Sequence, residues 1–435
     1  MSRVRWQERV LGAPLSPEIR RYFVLMTGAS GLAFARSLAI AKLLGPKGFG
    51  YYALINLITG LAINLCSAGL FVGLTRQVTL LRSRGDDGAA ADLRNRTVTW
   101  LVLIFAVCAA LYSGTIAAAF RSNHGLFLAL LAAAPYTVGT LLFNTAMIEL
   151  SSRQLMVGFA VVLGIRNAVT TVSGAVISAA GLGVEAVALG EVACNIVIFF
   201  ALMAWSGGFR LQLRGADDRV RHTARVGLPF TISQLMRTVS TNSDRWFVSG
   251  FYSIGEFGVY SFSNLLRLGG DAATTAIGIY IQPRFIREFA QTSSVQGLLA
   301  RAMRWGRLVA FAGVVGGIPV VVVLNWAIGV FLPEYTAARP LVPFILAGVV
   351  LDVLIVFLDA VIFAAGRGGV QTAMYALSLV VLAAACALVK VAGAGLVWVA
   401  VVYALGRLAT LGGNYVVCRR LRGQIDPDAV LGLSR

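Results

Sequence analysis

Two histidines and five cysteines are all that 435 residues offer a soft metal ion. His124 and His222 stand far apart, so a histidine-based metal site has almost nothing to work with. Cys66, Cys108, Cys194, Cys386 and Cys418 form no CxxC and lie in or at the end of apolar runs, the pattern of small buried hydrophobes. Charge is scarce as well: Asp, Glu, Lys and Arg make up 13% of the chain, against about 25% in ordinary soluble proteins. With 58% apolar residues and a mean hydropathy of +0.80, too little polar surface remains for a large soluble enzyme. A membrane-embedded chain is implied. There is no GxxxxGK[ST] phosphate loop, which argues against ATP-driven work by this chain alone.

What is present is a series of apolar runs of spanning length, about 20 residues each. Twelve fall near 22–44, 50–74, 98–119, 126–148, 155–179, 184–205, 227–250, 256–283, 305–331, 341–365, 370–390 and 395–418. The fold class expected is therefore all-α and integral to the membrane, with both termini on one side. Of the 37 Lys and Arg, 26 fall in the tails and connections on the side of the N-terminus, and five in the opposite loops. Basic residues collect on the cytoplasmic side of membrane proteins, so both termini are placed there. The formal charge of +18 is then accounted for by anionic inner-leaflet lipid rather than by nucleic acid, and no basic-aromatic surface motif contradicts this. Residues 1–21 read as a cytoplasmic basic tail, not a cleaved signal.

One phrase occurs twice. Shifted by 208 residues, Phe49 falls on Phe257, Gly50 on Gly258, Tyr52 on Tyr260, Asn56 on Asn264 and Leu57 on Leu265. Further on, Ala68 falls on Ala276 and Arg76 on Arg284. The shift moves the chain by six crossings, an even number, so the halves enter the membrane in the same direction. Such a repeat relates two six-helix bundles by a pseudo-two-fold along the membrane normal, with a cavity between them. The expected division is a bundle over 22–205, a cytoplasmic linker over 206–226, a second bundle over 227–418 and a cytoplasmic tail over 419–435.

The stretches "RSLAIAKLLGPKGFGYYALINLI", "SDRWFVSGFYSIGEFGVYSFSNLL" and "IQPRF" resemble the polysaccharide-transporter branch of the multidrug/oligosaccharidyl-lipid/polysaccharide (MOP) flippase superfamily, the Wzx-type O-antigen flippases. The resemblance implies a flippase, not an enzyme. It implies export of an undecaprenyl-diphosphate-linked glycan (an O-antigen, capsular or exopolysaccharide repeat unit) from the inner to the outer leaflet of the bacterial cytoplasmic membrane. It implies no cofactor, with coupling to the membrane potential, H+ or Na+, and partnership with the bilayer, a polysaccharide polymerase and a chain-length regulator. "AFAR", ending at Arg36, is also similar to the span-one phrase that carries a cavity arginine in the related lipid II flippase, although Ser37 stands where that phrase has an acid.

Ionisable residues inside spans are costly and default to functional roles. The arginines are Arg36, Arg166, Arg237, Arg245, Arg267 and Arg407; the acids are Glu191, Asp244, Asp271, Asp352 and Asp359. Arg36 and Arg237 sit on the matching first helices of the two halves with no acid within a helical turn, and are expected to face each other across the cavity and hold the diphosphate. Arg166, Arg267, Arg407, Asn56 and Asn264 are further candidates for the lining, although Asn in spans also serves as helix glue. Arg267 and Asp271, spaced i,i+4, can neutralise each other. Arg245 reads as a structural residue snorkelling at the outer end of its span. Asp244, Asp271, Asp352 and Asp359 are candidates for gating or ion coupling. A multidrug-type, ion-coupled exporter would favour an acidic cavity. A membrane glycosyltransferase or polymerase would need larger outer loops than these, which offer His124, Glu334 and little else.

Overall fold

The computed structural model describes residues 17–119, 123–212, 218–267, 294–365 and 367–421, with scattered positions between 269 and 289. The tails up to 16 and beyond 421, the centre of the linker, Arg121, Ala276 and the first Gln-Pro of "QPRF" lie outside the described residues.

Among the described residues there are thirteen α-helices and no strand. The first six are α1 (Pro17–Cys66), α2 (Leu70–Ser83), α3 (Asp87–Ala119), α4 (His124–Ser152), α5 (Met156–Ala179) and α6 (Val184–Trp205). The second set is α7 (Asp218–Thr241), α8 (Ser243–Phe251), α9 (Ile254–Ser263), α10 (Val295–Phe331), α11 (Val342–Ala364), α12 (Gly368–Val391) and α13 (Leu396–Arg420). Nine of the described helices are long and apolar enough to cross a membrane. The first of these holds two of the expected spans, joined without a loop at Gly45, whose φ of 66° and ψ of 178° break the helix just before Pro46. Proline has no N–H to continue the ladder, so the chain reverses there.

Three expected spans prove to be interrupted. The second breaks at Ala68 and Gly69, both at positive φ, and resumes as α2. The seventh breaks between Thr241 and Ser243, in a run of short polar side chains that compete for backbone partners. The eighth runs as α9 only to Asn264, the C-cap. These breaks put backbone polar groups at membrane depth, which is tolerated where protein or water covers them.

Helices α1–α6 pack mainly on one another, and α8 and α10–α13 do likewise, giving the two bundles, while α7 packs on α2 and α1 as well as on α12, and α9 packs chiefly on α1, joining the two. Within the second bundle α11 is largely buried, whereas α10 presents Phe311, Ile318, Val322 and Trp326 to its surroundings. Apolar outer faces of this kind meet lipid in a membrane protein.

The repeated phrase has a packing reason: its two copies touch. A Cβ at Gly258 would lie 1.8 Å from the Pro46 carbonyl oxygen, and one at Gly50 would lie 2.2 Å from the Ile254 carbonyl oxygen. Only glycine at both positions lets the two backbones approach this closely. Around this contact the ring of Phe49 packs edge-on to Phe262 at 6.5 Å and to Tyr335 at 6.4 Å. Tyr335, in a 3-10 turn over Pro333–Ala338, donates to the Ala41 carbonyl at 3.0 Å. The end of the molecule opposite the start of α1 and the end of α13 is thereby sealed across the two bundles. A second close approach lies deeper, where a Cβ at Gly73 would fall 2.0 Å from the Thr223 carbonyl oxygen and one at Gly227 would fall 1.9 Å from that of Gly69.

Gly258→Ala is expected to pry the seal apart. Overpacking costs about 1–3 kcal/mol. Labelling of the buried position 262, carried as Phe262→Cys, by an impermeant maleimide should therefore quicken about tenfold or more. An unchanged labelling rate would show that the two copies are not held together here.

Candidate functional site

Two polar clusters lie at matching depth, one per bundle, each about 10 Å along its helices from the sealed end at a rise of about 1.5 Å per residue.

In the first bundle the centre is Glu191 on α6, which is completely buried. Its Oε1 accepts from the Tyr52 hydroxyl at 2.7 Å, and its Oε2 accepts from the Tyr136 hydroxyl at 2.8 Å. Arg36 Nη1 donates to the same Oε2 at 3.2 Å and to Thr170 Oγ1 at 3.2 Å. Four elements are joined: both halves of α1, then α4, α5 and α6. Asn56 accepts from Tyr136 at 3.2 Å and returns its own amide to the Tyr52 carbonyl at 2.9 Å. Arg166 has a neutral partner, donating from Nε to Asn195 Oδ1 at 2.7 Å with its guanidinium 4.6 Å from the Phe143 ring centre.

In the second bundle the centre is Asp244, also fully buried. Tyr260 donates to its Oδ2 at 2.7 Å, and Arg267 approaches its Oδ1 at 3.5 Å. Arg267 also donates to Asn264 Oδ1 at 3.1 Å and to the Thr241 carbonyl, which the helix break frees. Asn264 returns its amide to the Tyr260 carbonyl at 3.0 Å. Next to this, Asp352 on α11 accepts from Tyr403 at 2.8 Å and pairs with Arg407 Nε at 3.5 Å. The Tyr403 ring lies between Arg267 and Arg407, at 4.7 and 5.5 Å from their guanidinium carbons. Arg407 is 1% exposed and also donates to the Ser240 carbonyl at 2.6 Å.

The tyrosine and asparagine of the repeated phrase thus do the same thing twice. Tyr52 and Tyr260 each hold a buried carboxylate, and Asn56 and Asn264 each cap the preceding turn. The repeat inverts one sign: the 208-residue shift sets Arg36 on Asp244. The first bundle keeps its cation on the opening helix and its anion on α6; the second keeps its anion on the opening helix.

Several expectations change. Arg36 has no acid within a turn of its own helix, but Glu191 reaches it from α6. Arg267 pairs with Asp244 and not with Asp271, which is exposed. Asp244, next to the arginine expected to snorkel at the outer end of the span, is buried in the core. Asp359 lies deeper than Asp352 and apart from it, accepting from Tyr375 and from Asn414 Nδ2 at 3.0 Å. Among the described residues Arg245 donates only to Asn242, at 3.4 Å. Arg237 is exposed and, among the described residues, has no ion pair or hydrogen bond. Its neighbour Thr238 accepts from Asn64 of the other bundle at 3.5 Å, which places this turn of α7 on the seam.

A third cluster was not anticipated. Glu149, at the end of α4 near the termini, is held by Arg82, by Arg94 Nη1 at 2.9 Å and by Arg153 Nε at 2.8 Å. Arg94 continues to Ser206 Oγ at 2.9 Å and the Gly208 carbonyl at 2.9 Å, fastening the start of the linker to α3. Among the described residues no group of three or more His, Cys, Asp or Glu is placed to hold a metal ion.

Two like-oriented helical bundles meeting at a glycine seam, with polar clusters buried at membrane depth, define a multi-pass membrane protein with the fold of MOP-superfamily transporters. The fold matches an inward-facing multidrug resistance MATE family transporter of that superfamily with a TM-score of 0.64, 16% identity and 99% of each chain covered. An outward-facing MATE family transporter matches with a TM-score of 0.62 at 14% identity, over 94% of this chain and 96% of the other. A MOP superfamily transporter from Pyrococcus furiosus, described by the reverse polarity of its binding pocket, matches with a TM-score of 0.56 at 17% identity, over 93% of this chain and 95% of the other. No curated protein matches in sequence. The model of the polysaccharide biosynthesis protein family matches residues 39–332, and the chain belongs to that family.

Proposed function

We propose that the chain is a flippase that moves an undecaprenyl-diphosphate-linked oligosaccharide from the inner to the outer leaflet, with the basic end in the cytoplasm. Arg237 carries the reading. Of the six span arginines it alone lacks a hydrogen-bond partner among the described residues, and it stands at the seam of the two bundles. A cation at membrane depth costs about 2.5–3.5 kcal/mol on insertion scales, so one that makes no direct ion pair among the described residues, with Asp359, Asp352 and Asp271 near it but not in contact, suits an anionic cargo.

The physical task fits. A diphosphate and its sugars cannot cross hydrocarbon bare, because burying an isolated charge costs tens of kcal/mol in a low-dielectric medium. Guanidinium forks match phosphate oxygens in geometry and charge. Arg36 and Arg166 supplement Arg237, the former through its Nε, which makes no hydrogen bond. A chamber that opens first to one side and then to the other replaces the lost water, while the lipid tail stays in the bilayer. With the cell interior negative, outward movement of an anion gains about 2.3 kcal/mol per charge per 100 mV. No cofactor enters this scheme.

A second reading has support in the MATE neighbours: an ion-coupled exporter, with Glu191 and Asp244 as the titrating groups. Proteoliposomes separate the two. The purified chain is expected to move a fluorescent polyprenyl-diphosphate oligosaccharide between leaflets. Arg237→Ala should slow it about 10- to 100-fold, the value of one hydrogen bond to a charged group, and Arg237→Lys should restore part of the rate. Wild-type flipping by Arg237→Ala would end the assignment. Extrusion of a cationic dye with no lipid flipping would favour the second reading.

A further inference from the structure

We propose that a groove on the outer face of the second bundle seats one acyl chain of an anionic glycerophospholipid, with the phosphate on Arg307. The groove lies between α10, α11 and α13 and has a volume of about 430 Å3, within the roughly 300–1,000 Å3 of small-ligand sites. Gly306, Leu354, Phe357, Leu408 and Gly412 line it, and Arg307 and Tyr415 supply its polar groups.

Three observations point to a lipid. The groove opens where α10 turns its apolar side outward, with Leu308 48% and Phe311 70% exposed. It is kept open by glycine: a Cβ at Gly412 would touch nothing within 4 Å, and one at Gly306 would meet only Leu354 Cδ2 at 3.6 Å. Its mouth is basic. Arg307 and Arg304, one turn apart, are both exposed and have no ion pair among the described residues, and Arg419 lies 5.8 Å from the Tyr415 ring centre. No carboxylate lines the groove. An apolar slot beneath two or three guanidinium groups matches a hydrocarbon chain beneath a phosphate, as in the basic pockets between helices that take anionic headgroups on the cytoplasmic side.

The occupant is a resident phospholipid rather than the transported carrier. All the lining residues fall between 302 and 415, on the membrane face of one bundle and away from the seam where the cargo passes. A bound chain would tie α10 to α11 and α13, which carry Asp352, Asp359, Arg407 and Asn414 on their inner sides.

The proposal takes from the flippase reading only that the basic end faces the leaflet rich in anionic lipid. Binding in micelles depends on neither sidedness nor transport, so the two can fail separately. The test is native mass spectrometry of the purified full chain titrated with phosphatidylglycerol or phosphatidylcholine of equal chain length. One phosphatidylglycerol per chain should be retained, and phosphatidylcholine about tenfold less. Arg307→Gln should remove the difference between the two lipids and Arg307→Lys should keep it. Gly412→Phe, which fills the slot, should abolish retention of both. Unchanged helicity by circular dichroism shows that each variant is folded, and should Gly412→Phe not fold, Leu408→Trp fills the same slot. Equal retention of the two lipids by the parent chain, or retention unaffected by both Arg307→Gln and the filled slot, would overturn the proposal. So would displacement of phosphatidylglycerol from the slot by an equimolar polyprenyl diphosphate, which would make the carrier its occupant.

Discussion

Glu149→Ala is expected to prevent the first bundle from accumulating in folded form. The carboxylate is fully buried, and the side chains of Arg82 and Arg94 that converge on it are only 7% and 3% exposed. Breaking a buried ion pair by removing one partner costs about 3–5 kcal/mol, because the other charge is left uncompensated. Here one truncation leaves buried Arg94 with no carboxylate and buried Arg82 with only the exposed Asp87, at 3.6 Å, and frees Arg153 as well, so the cost should reach the top of that range. The damage spreads because Arg94 also fastens Ser206 and Gly208, where the linker begins. Glu149→Gln keeps the shape and an acceptor oxygen but not the charge, and should fall between. The measurement is the yield of monodisperse protein from membranes and its thermal unfolding in detergent. Normal yield and melting for the alanine variant would show that the three arginines are satisfied without their carboxylate.

Much of the architecture was legible because membrane folds obey few rules. Spans must be long and apolar, basic residues sort to one end, and a repeat shifted by six crossings fixes the relation of the halves. The interruptions were less legible. Ala68-Gly69 and Asn242 sit inside runs that pass for continuous spans, since hydropathy registers side chains and not the backbone angles at a break. Partners across bundles and between helices were beyond reach for a similar reason. Glu191 was visible as an acid in a span, but nothing in the residues around Arg36 indicates that α6 delivers a carboxylate to it. A signal was available for the tyrosines: Tyr52 and Tyr260 recur at the same place in both copies of the phrase, and a hydroxyl kept at membrane depth needs an acceptor. Glu149 left a fainter one, an acid ending a long apolar run while Arg82, Arg94 and Arg153 end or begin their neighbours.

Arg36 and Glu191 allow a separation of structural from transport roles, because truncating each has unequal consequences. With Arg36→Leu the Glu191 carboxylate keeps two hydroxyl donors, Tyr52 and Tyr136, at 2.7 and 2.8 Å. With Glu191→Leu the guanidinium keeps only Thr170, at 3.2 Å, the Tyr52 hydroxyl loses its acceptor, and that of Tyr136 keeps only Asn56 Oδ1, at 3.2 Å. Glu191→Leu should therefore carry the cost of about 3–5 kcal/mol for an orphaned buried charge, and Arg36→Leu clearly less. Exchanging both members of a buried pair for apolar residues is often neutral or better, so the double variant should regain most of the melting temperature lost by Glu191→Leu. Transport should not follow. Arg36 is the cation that the 208-residue repeat replaces by Asp244, so the second bundle has no counterpart of it. If its unbonded Nε meets the diphosphate, the stable double variant should still flip about tenfold more slowly, in line with the loss of one hydrogen bond to a charged group. Full recovery of both stability and flipping in the double variant would mean that Arg36 only joins α1 to α6, leaving Arg237 and Arg166 to meet the phosphates.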